Sequence, residues 1–180
     1  MKFLNPISNF FADIGNFFGG RSVLGVDIGT TSIKIAELSR KEERPVLINY
    51  CILETKDYLA HPNQVIQSSS LKISEKETAE TLKILLREMK TKSRIAVGSI
   101  PAFTAFTTML DMPVLSPEET RKAVEFQAPQ YIPLPMSEVI LDWVKAGEYD
   151  NADRVRYQRI FLIGIPKEII QRYKTIFREA

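Results

Sequence analysis

Residues 23–38 read VLGVDIGTTSIKIAEL, two runs rich in β-branched residues on either side of a Gly-Thr-Thr-Ser turn. Apolar runs such as 23–28 and 33–38, joined by a short glycine-containing segment, predict a tight β-hairpin. The turn also suits a phosphate group, because glycine allows close approach to the backbone, and N–H and hydroxyl groups can donate to phosphate oxygens. We therefore predict that this hairpin organises both the fold and a phosphate site.

Two charged side chains flank the turn. Lys34 brings a cation to the same end of the hairpin, and Asp27 ends an apolar strand with a carboxylate that is costly to bury without a partner. A hydrated Mg²⁺ bound to a polyphosphate would be such a partner, so Asp27 is predicted to hold Mg²⁺ through water only when nucleotide is present. An ordinary Gly-Thr hairpin with an exposed lysine stays as the alternative. The predicted nucleotide-binding residues are Asp27, Gly29, Thr30, Thr31, Ser32 and Lys34.

Composition limits the classes of function. The chain has 180 residues, 44% of them hydrophobic, which is enough for one large domain or two small ones. The net charge of +2 gives no argument for a nucleic-acid partner. With one cysteine, Cys51, and one histidine, His61, the chain cannot form an internal disulfide, a zinc cluster or a histidine-based triad. These counts indicate a reducing, cytoplasmic setting, and we assign no catalytic residue.

Residues 1–20 form a segment of their own. Apolar side chains recur at helical spacing and stop at Gly19–Gly20, which predicts an amphipathic helix that is too short and polar to span a bilayer. Three alternatives stay open: docking on its own domain or on a partner, contact with a membrane interface through residues 3–18, or a disordered tail. The apolar residues are Phe3, Leu4, Ile7, Phe10, Phe11, Ile14, Phe17 and Phe18.

The region after the hairpin alternates strands and a helix. Residues 46–53 predict a third strand, and a polar crossing follows over 56–71. A capping box at 74–77 then starts a helix, and residues 95–100 read as a short buried strand. Three strands, a helix and a strand form the start of a ribonuclease H-like lobe.

From Phe103 the pattern changes to a compact inserted unit. A strand at 103–112 precedes a second capping box, in which Ser116 is followed by Pro117, and the helix runs to about Ala128. Strands are predicted at 139–145 and 154–165, with a polar turn at 147–153 between them. Pro166 then opens a last helix whose apolar face is Ile169, Ile170, Tyr173, Ile176 and Phe177.

The hairpin resembles the first phosphate motif of the actin, Hsp70 and sugar-kinase superfamily, Asp-x-Gly-(Thr/Ser)-x-x-x-Lys. Asp27, Gly29, Thr30 and Lys34 match it. The chain contains neither a Walker A loop nor a Rossmann fingerprint. The resemblance implies that the hairpin holds the phosphates of ATP and their metal ion.

A more specific resemblance covers the chain from Val23 to its end. Its segments are similar to those of the type IV pilus assembly protein PilM family, relatives of the cell-division protein FtsA. The segments that carry the resemblance are Ser99-Ile100-Pro101, residues 109–113 (MLDMP), 115–119 (LSPEE) and 125–133 (EFQAPQYIP), and Asp142.

This resemblance implies an α/β fold with two parts. Residues 21–102 and 166–180 would form a ribonuclease H-like (actin-like) subdomain 1A, and 103–165 an inserted SHS2-type β-α-β-β subdomain 1C. It further implies a cytoplasmic, ATP- and Mg²⁺-binding adaptor at the inner face of the cell membrane. Its partner would be the N-terminal peptide of a PilN-type inner-membrane protein, bound in a groove between 1A and 1C. Self-association stays open.

We assign three residues to the lining of that groove, Phe126, Tyr131 and Ile132, because they stand at the joint between the two parts. Packing of the insert onto the first lobe is the alternative role for the same side chains. Two further functions stay open: an FtsA-like scaffold of cell division or membranes, and the N-terminal half of a sugar kinase.

The sequence departs from the family pattern in one respect. A second Asp-x-Gly-Thr motif does not follow Lys34, so we expect that the second ATPase lobe is absent and that the chain, ending at Ala180, is a truncated or half-length product. Nucleotide affinity is then expected to be weak or absent, and hydrolysis would need groups from the missing lobe.

Overall fold

The computed structural model describes residues 22–41, 44–54 and 75–180. The predicted helix of residues 1–20 and the polar crossing at 56–71 lie outside the described residues. The chain divides into two compact units. One is Ala102–Ile170, called here the three-stranded module; the other contains the described residues of 11–101 together with Gln171–Ala180, called here the four-stranded unit.

The four-stranded unit is built around the predicted hairpin. Its sheet has the strand order β3-β2-β1-β4, in which β1 is antiparallel to β2, β2 is antiparallel to β3, and β4 is parallel to β1. The hairpin strands and the third strand are therefore confirmed, and the helix after them is also present. The elements are β1 Val23–Ile28, β2 Ser32–Lys41, β3 Arg44–Glu54, α1 Glu75–Glu88 and β4 Ala96–Ser99.

One face of this sheet forms the core. Val26 and Ile35 pair across the hairpin and are buried. The residues two positions before and after each of them point to the same face and are also buried: Leu24, Ile28, Ile33 and Glu37. The last helix is α3 (Lys167–Glu179), and the part of it that belongs to this unit lies close to this face, because a Cβ added at Gly98 would come within 2.6 Å of the Phe177 ring. The apolar face predicted for α3 is confirmed by the burial of Tyr173 and Ile176.

The prediction that the strand at 95–100 is buried was wrong. All four residues of β4 are exposed. The reason is position: within the described residues β4 is an edge strand that pairs with β1 alone. The other edge strand, β3, also exposes its apolar side chains Val46, Leu47, Ile48, Tyr50 and Ile52, and the side chain of Cys51 in this strand is half-buried.

The three-stranded module has the predicted order of strand, helix, strand and strand. Its elements are β5 Phe106–Pro113, α2 Pro117–Gln127, β6 Val139–Asp150 and β7 Arg156–Pro166. The sheet order is β5-β7-β6, and both pairings are antiparallel. The first strand begins at Phe106 and not at 103 as predicted, because Ala102–Thr104 forms a turn of 3-10 helix.

The capping box at the start of α2 is confirmed. The Ser116 hydroxyl accepts from the backbone N–H of Glu119, and the Glu119 carboxylate accepts from the backbone N–H of Ser116. Behind the cap, α2 packs its buried residues onto the sheet. The core of the module is Leu110, Met112, Val124, Ala128, Ile132, Val139, Ile160 and Leu162.

The turn between β6 and β7 comes later than predicted. Residues 147–150 continue β6, because a register irregularity between Lys145 and Gly147 keeps the strand paired with β7. The turn instead follows Asn151, whose side-chain oxygen accepts from the backbone N–H groups of Asp153 and Val155.

Candidate phosphate-binding site

The hairpin turn is tightly closed. The Gly29 N–H donates to the Ser32 carbonyl oxygen over 2.9 Å, and Ile28 pairs with Ile33 just beneath it. A Cβ added at Gly29 would stand 3.1 Å from the Ser32 oxygen, so a side chain there would crowd the turn. Glycine therefore permits the sharp reversal that brings the ends of β1 and β2 together.

A row of three polar side chains crosses the sheet beside this turn. Ser99 of β4 pairs in register with Asp27 of β1, and Asp27 pairs with Lys34 of β2. The Ser99 hydroxyl donates to Oδ1 of Asp27, and Nζ of Lys34 lies 3.7 Å from Oδ2. Because side chains alternate between the faces of a strand, this row lies on the face opposite the buried Val26 and Ile28.

The charged pair in this row is accessible to a ligand. The side chains of Lys34 and Asp27 are 55% and 47% exposed. Exposed ion pairs contribute between about 0 and 1 kcal/mol, so a ligand carrying several negative charges can replace Asp27 as the partner of Lys34 at little cost. The geometry thus provides a cation that can be redirected beside a tight turn.

The predicted site residues are brought together at this end of the hairpin. Asp27 and Lys34 flank the turn, Thr30 and Thr31 are exposed at its tip, and Ser32 begins β2. Within the described ranges, no group of three or more His, Cys, Asp or Glu side chains could hold a metal ion alone. One carboxylate fits a Mg²⁺ ion that arrives on a phosphate and keeps most of its waters.

Sequence reasoning missed Ser99 as a member of this row. The sequence signal that could have found it is a hydroxyl residue at the end of a strand that follows a helix. Such a strand commonly runs parallel to a strand that precedes the helix, so that both end at the same edge of the sheet. The sequence did not show which strand β4 would pair with, and the register alone brings Ser99 to Asp27.

A buried hydroxyl lies close to this region without belonging to the row. Tyr173 is 7% exposed, and its hydroxyl has no hydrogen-bond partner in the described part of the chain. Burial raises the pKa of Tyr173, the charge of Arg172 lowers it, and that of Asp27 raises it. The ring packs on Phe177 with centroids 6.3 Å apart, and the Phe177 ring lies against Gly98 on the core face. We therefore assign Tyr173 to the core.

The three residues assigned to a partner groove differ in accessibility. Phe126 is 80% exposed and Tyr131 is 47% exposed, whereas Ile132 is only 4% exposed. The Ile132 side chain belongs to the core of the module, where it lies against the position of Gly164. Within the module, Phe126 and Tyr131 are thus the two of the three whose side chains reach the surface.

A charged cluster on the sheet of the three-stranded module consists of Asp111, Arg159 and Tyr149. Arg159 makes two hydrogen bonds to Asp111, of 2.8 and 2.9 Å, and its guanidinium lies 5.1 Å from the centre of the Tyr149 ring. The pKa of Asp111 is lowered mainly by these bonds from Arg159. Because Asp111 lies on β5 and Arg159 directly opposite it on β7, this ion pair joins the two strands.

Among the described helices, none combines the length and the apolar character that crossing a bilayer would require.

Comparison with known proteins identifies the family. The family model described as type IV pilus assembly protein PilM matches residues 25–180, which is most of the chain.

The solved structures that the chain matches include the following two. The PilM-PilN type IV pilus biogenesis complex matches with a TM-score of 0.69 and 22% identity, over 88% of this chain and 44% of that one. At this identity the match shows the fold alone, a mixed α/β fold whose sheets correspond, and the chain spans less than half of the solved chain's length. The cytoplasmic domain of EpsL, an inner membrane component of the type II secretion system of Vibrio cholerae, reaches a TM-score of only 0.48 at 12% identity, over 86% of this chain and 53% of that one.

Proposed function

Because this chain belongs to the type IV pilus assembly protein PilM family, we propose that it is part of a cytoplasmic adaptor of the pilus machinery. This adaptor binds ATP with Mg²⁺ at the hairpin and the N-terminal peptide of a PilN-type inner-membrane protein on the three-stranded module. The choice of partner is supported by the similar solved structure, which is a complex of PilM with PilN.

The two units correspond in this proposal to two subdomains of an actin-like ATPase. The four-stranded unit is subdomain 1A, since three antiparallel strands followed by a helix and a parallel strand is the ribonuclease H-like order. The three-stranded module is the inserted SHS2-type subdomain 1C, since it runs strand, helix, strand, strand. Both assignments rest on the order and pairing of the elements.

The observation that carries nucleotide binding is the placement of Asp27 and Lys34 across the turn at Gly29. Lys34 attracts the negative charge of the phosphates, and the turn allows their oxygens to approach the backbone. Thr30, Thr31 and Ser32 are the hydroxyl donors of the tip. Asp27 would hold a Mg²⁺ ion through one of its waters, and that ion would supply positive charge that neutralises the phosphates.

The nucleotide proposal is tested by calorimetric titration of Mg·ATP into the full-length gene product. We expect Asp27→Ala and Lys34→Ala each to weaken binding about tenfold or more, because hydrogen bonds to charged groups contribute about 1.5–3 kcal/mol. Lys41→Ala, at the far end of β2, is the matched control and should bind as the wild type does. Equal affinity in all four proteins would rule out the phosphate assignment.

The exposure of two aromatic side chains supports the partner site. Phe126 is 80% exposed at the end of α2, and Tyr131 follows 47% exposed. Aromatic residues are frequent anchors of protein interfaces, where they supply a large contact area at a small loss of side-chain entropy. An extended peptide that covers both would bury apolar surface that now faces water.

The partner proposal is tested by titrating the N-terminal peptide of a PilN-type protein, followed by fluorescence anisotropy. Phe126→Ala and Tyr131→Ala should weaken binding, while Phe103→Ala, which removes another exposed aromatic side chain of the module, should not. Absence of binding to a folded wild-type protein would remove the partner site from the proposal.

A further inference from the structure

We infer that Ser99 is a positioning residue for Asp27, and that its hydroxyl sets how strongly nucleotide binding depends on Mg²⁺. This inference rests on the proposed function, because it concerns the same site. The inference adds Ser99 of β4 to the two hairpin strands of the site. Ser99 is assigned to the binding of Mg²⁺ and not to the binding of the phosphates.

The two oxygens of the Asp27 carboxylate have different partners. Oδ1 accepts a hydrogen bond from the Ser99 hydroxyl on one side, and Oδ2 faces Nζ of Lys34 at 3.7 Å on the other. The first contact is a direct hydrogen bond, whereas the second is longer than a well-formed hydrogen bond between charged groups. Oδ1 is therefore held in place, and Oδ2 is the oxygen that can change its partner.

The backbone keeps Ser99 in position. β4 and β1 run parallel over four register pairs, from Leu24 opposite Ala96 to Asp27 opposite Ser99. Ser99 has a short side chain with one rotatable bond to its hydroxyl, whereas Lys34 has a long flexible one. A ligand can thus draw Lys34 away while Ser99 continues to fix the rotamer of Asp27.

The fixed contact of Oδ1 with Ser99 and the replaceable contact of Oδ2 with Lys34 give the two oxygens of Asp27 different roles. If Lys34 turned toward a bound phosphate, Oδ2 of Asp27 would be left to accept from a water of the accompanying Mg²⁺. The hydroxyl of Ser99 holds the carboxylate so that Oδ2 faces outward. Groups that orient a metal-binding residue in this way commonly change metal affinity by about 10-fold to 100-fold when they are removed.

The test compares nucleotide binding with and without the metal in the full-length gene product. Calorimetry with Mg·ATP, and with ATP in excess EDTA, is performed on the wild type, Ser99→Ala and Ser99→Thr. We expect Ser99→Ala to weaken Mg·ATP binding about tenfold or more and to leave metal-free binding unchanged. Ser99→Thr retains a hydroxyl and should recover most of the wild-type affinity.

A second serine of the four-stranded unit provides the control. The Ser93 hydroxyl donates to the backbone oxygen of Ser22 over 2.6 Å, so Ser93→Ala also removes a hydrogen bond but not one at Asp27. It should keep the wild-type difference between Mg·ATP and metal-free ATP. Urea unfolding of each variant then separates a loss of stability from a loss of metal binding.

Each outcome decides the matter. Wild-type Mg·ATP affinity in Ser99→Ala would overturn the inference and leave the proposed function in place. An equal loss with and without the metal would also overturn it, because a merely structural role affects both ligands. A wild-type protein that binds no Mg·ATP would overturn both the inference and the nucleotide proposal.

Discussion

Lys34 lies directly opposite Asp27 in the register of the hairpin, with its Nζ 3.7 Å from Oδ2 of the carboxylate. The two charges lie beside the turn because their register pair is next to that of Ile28 and Ile33, and they are accessible because each stands on the strand face opposite the buried one. The pair is close enough to define a site and exposed enough to be separated by a ligand.

Removal of either charge should leave the fold intact. We expect Asp27→Ala and Lys34→Ala to change the free energy of unfolding by less than about 1 kcal/mol, because the ion pair is exposed, as is the hydrogen bond from Ser99 that Asp27→Ala also removes. Urea unfolding followed by circular dichroism measures this change. A loss of several kcal/mol would instead give the pair a structural role and weaken the case for a ligand.

Any side chain at Gly164 is expected to collide with Ile132 and to destabilise the protein. A Cβ at this position would come within 2.6 Å of Cδ1 of Ile132 and 3.3 Å of Val139. Overpacking of this kind costs about 1–3 kcal/mol, so Gly164→Ala should lower the free energy of unfolding by that amount. Thermal or urea unfolding of the variant checks it.

A second substitution tests the cause of that loss. Ile132→Val removes the crowding Cδ1 atom, so the double variant with Gly164→Ala should lose less stability than the two single changes added together. Gly147→Ala is the control, because nothing lies within 4 Å of a Cβ built there. Strict additivity in the double variant would contradict the crowding argument.

A buried hydrogen bond joins α2 to β7 in the module. The side-chain amide of Gln158 donates to the Thr120 hydroxyl over 2.9 Å, and the two residues are 2% and 1% exposed. Thr120→Val should cost about 1–3 kcal/mol, because it leaves a buried amide with poorer partners.

The same pair allows a double-mutant cycle. Combining Thr120→Val with Gln158→Leu removes both polar groups, so the second change should cost much less in the variant background than in the wild type. Unfolding free energies of the four proteins give the coupling. A coupling near zero would show that the hydrogen bond contributes nothing.

Tyr173→Phe is expected to stabilise the protein. The hydroxyl is buried and lacks a hydrogen-bond partner among the described residues, and a group of this kind costs about 1–3 kcal/mol. Its removal keeps the ring that packs on Phe177. A rise in the free energy of unfolding of about 1 kcal/mol would agree with this, whereas a clear decrease would mean that the hydroxyl has a favourable partner in solution.

The pH dependence of stability should reveal the bond between Asp111 and Arg159. The pKa of Asp111 is lowered in the folded protein, chiefly by hydrogen bonds from Arg159. A lowered pKa contributes stability that is present above the unfolded pKa of about 4 and is lost as the pH falls through the folded value. Asp111→Asn should therefore show a smaller loss of stability below about pH 4 than the wild type, as measured by urea unfolding across pH. An identical pH profile would contradict the bond.

Local patterns in the sequence predicted much of the fold. The hairpin strand Val23–Ile28 has the predicted bounds, and the Ser116 cap forms as expected, because each depends on residues within a few positions of one another. The order of elements in the module follows from the same local signals. Two boundaries were misplaced locally, at the 3-10 turn Ala102–Thr104 and at the end of β6, and the errors in burial arose where an element's surroundings lie far away in the chain.

The exposure of β4 shows why such errors arise. An apolar run looks the same in a central strand as in an edge strand, and only the sheet order determines which it is. The placement of Ile132 is a similar case, since it is buried in the core of the module against Gly164, a residue distant in sequence. Neither the edge position of β4 nor the burial of Ile132 is indicated by the local sequence around it.

By itself the sequence determined the hairpin, its charged residues and the succession of strands and helices, because periodicity, turn chemistry and capping act over a few residues. Only the tertiary structure decided that Ser99 meets Asp27, that β4 forms an edge, and that Ile132 is buried while Phe126 is exposed. The physical reason is that register and packing bring together residues from distant parts of the chain, and local sequence patterns do not encode which partners meet.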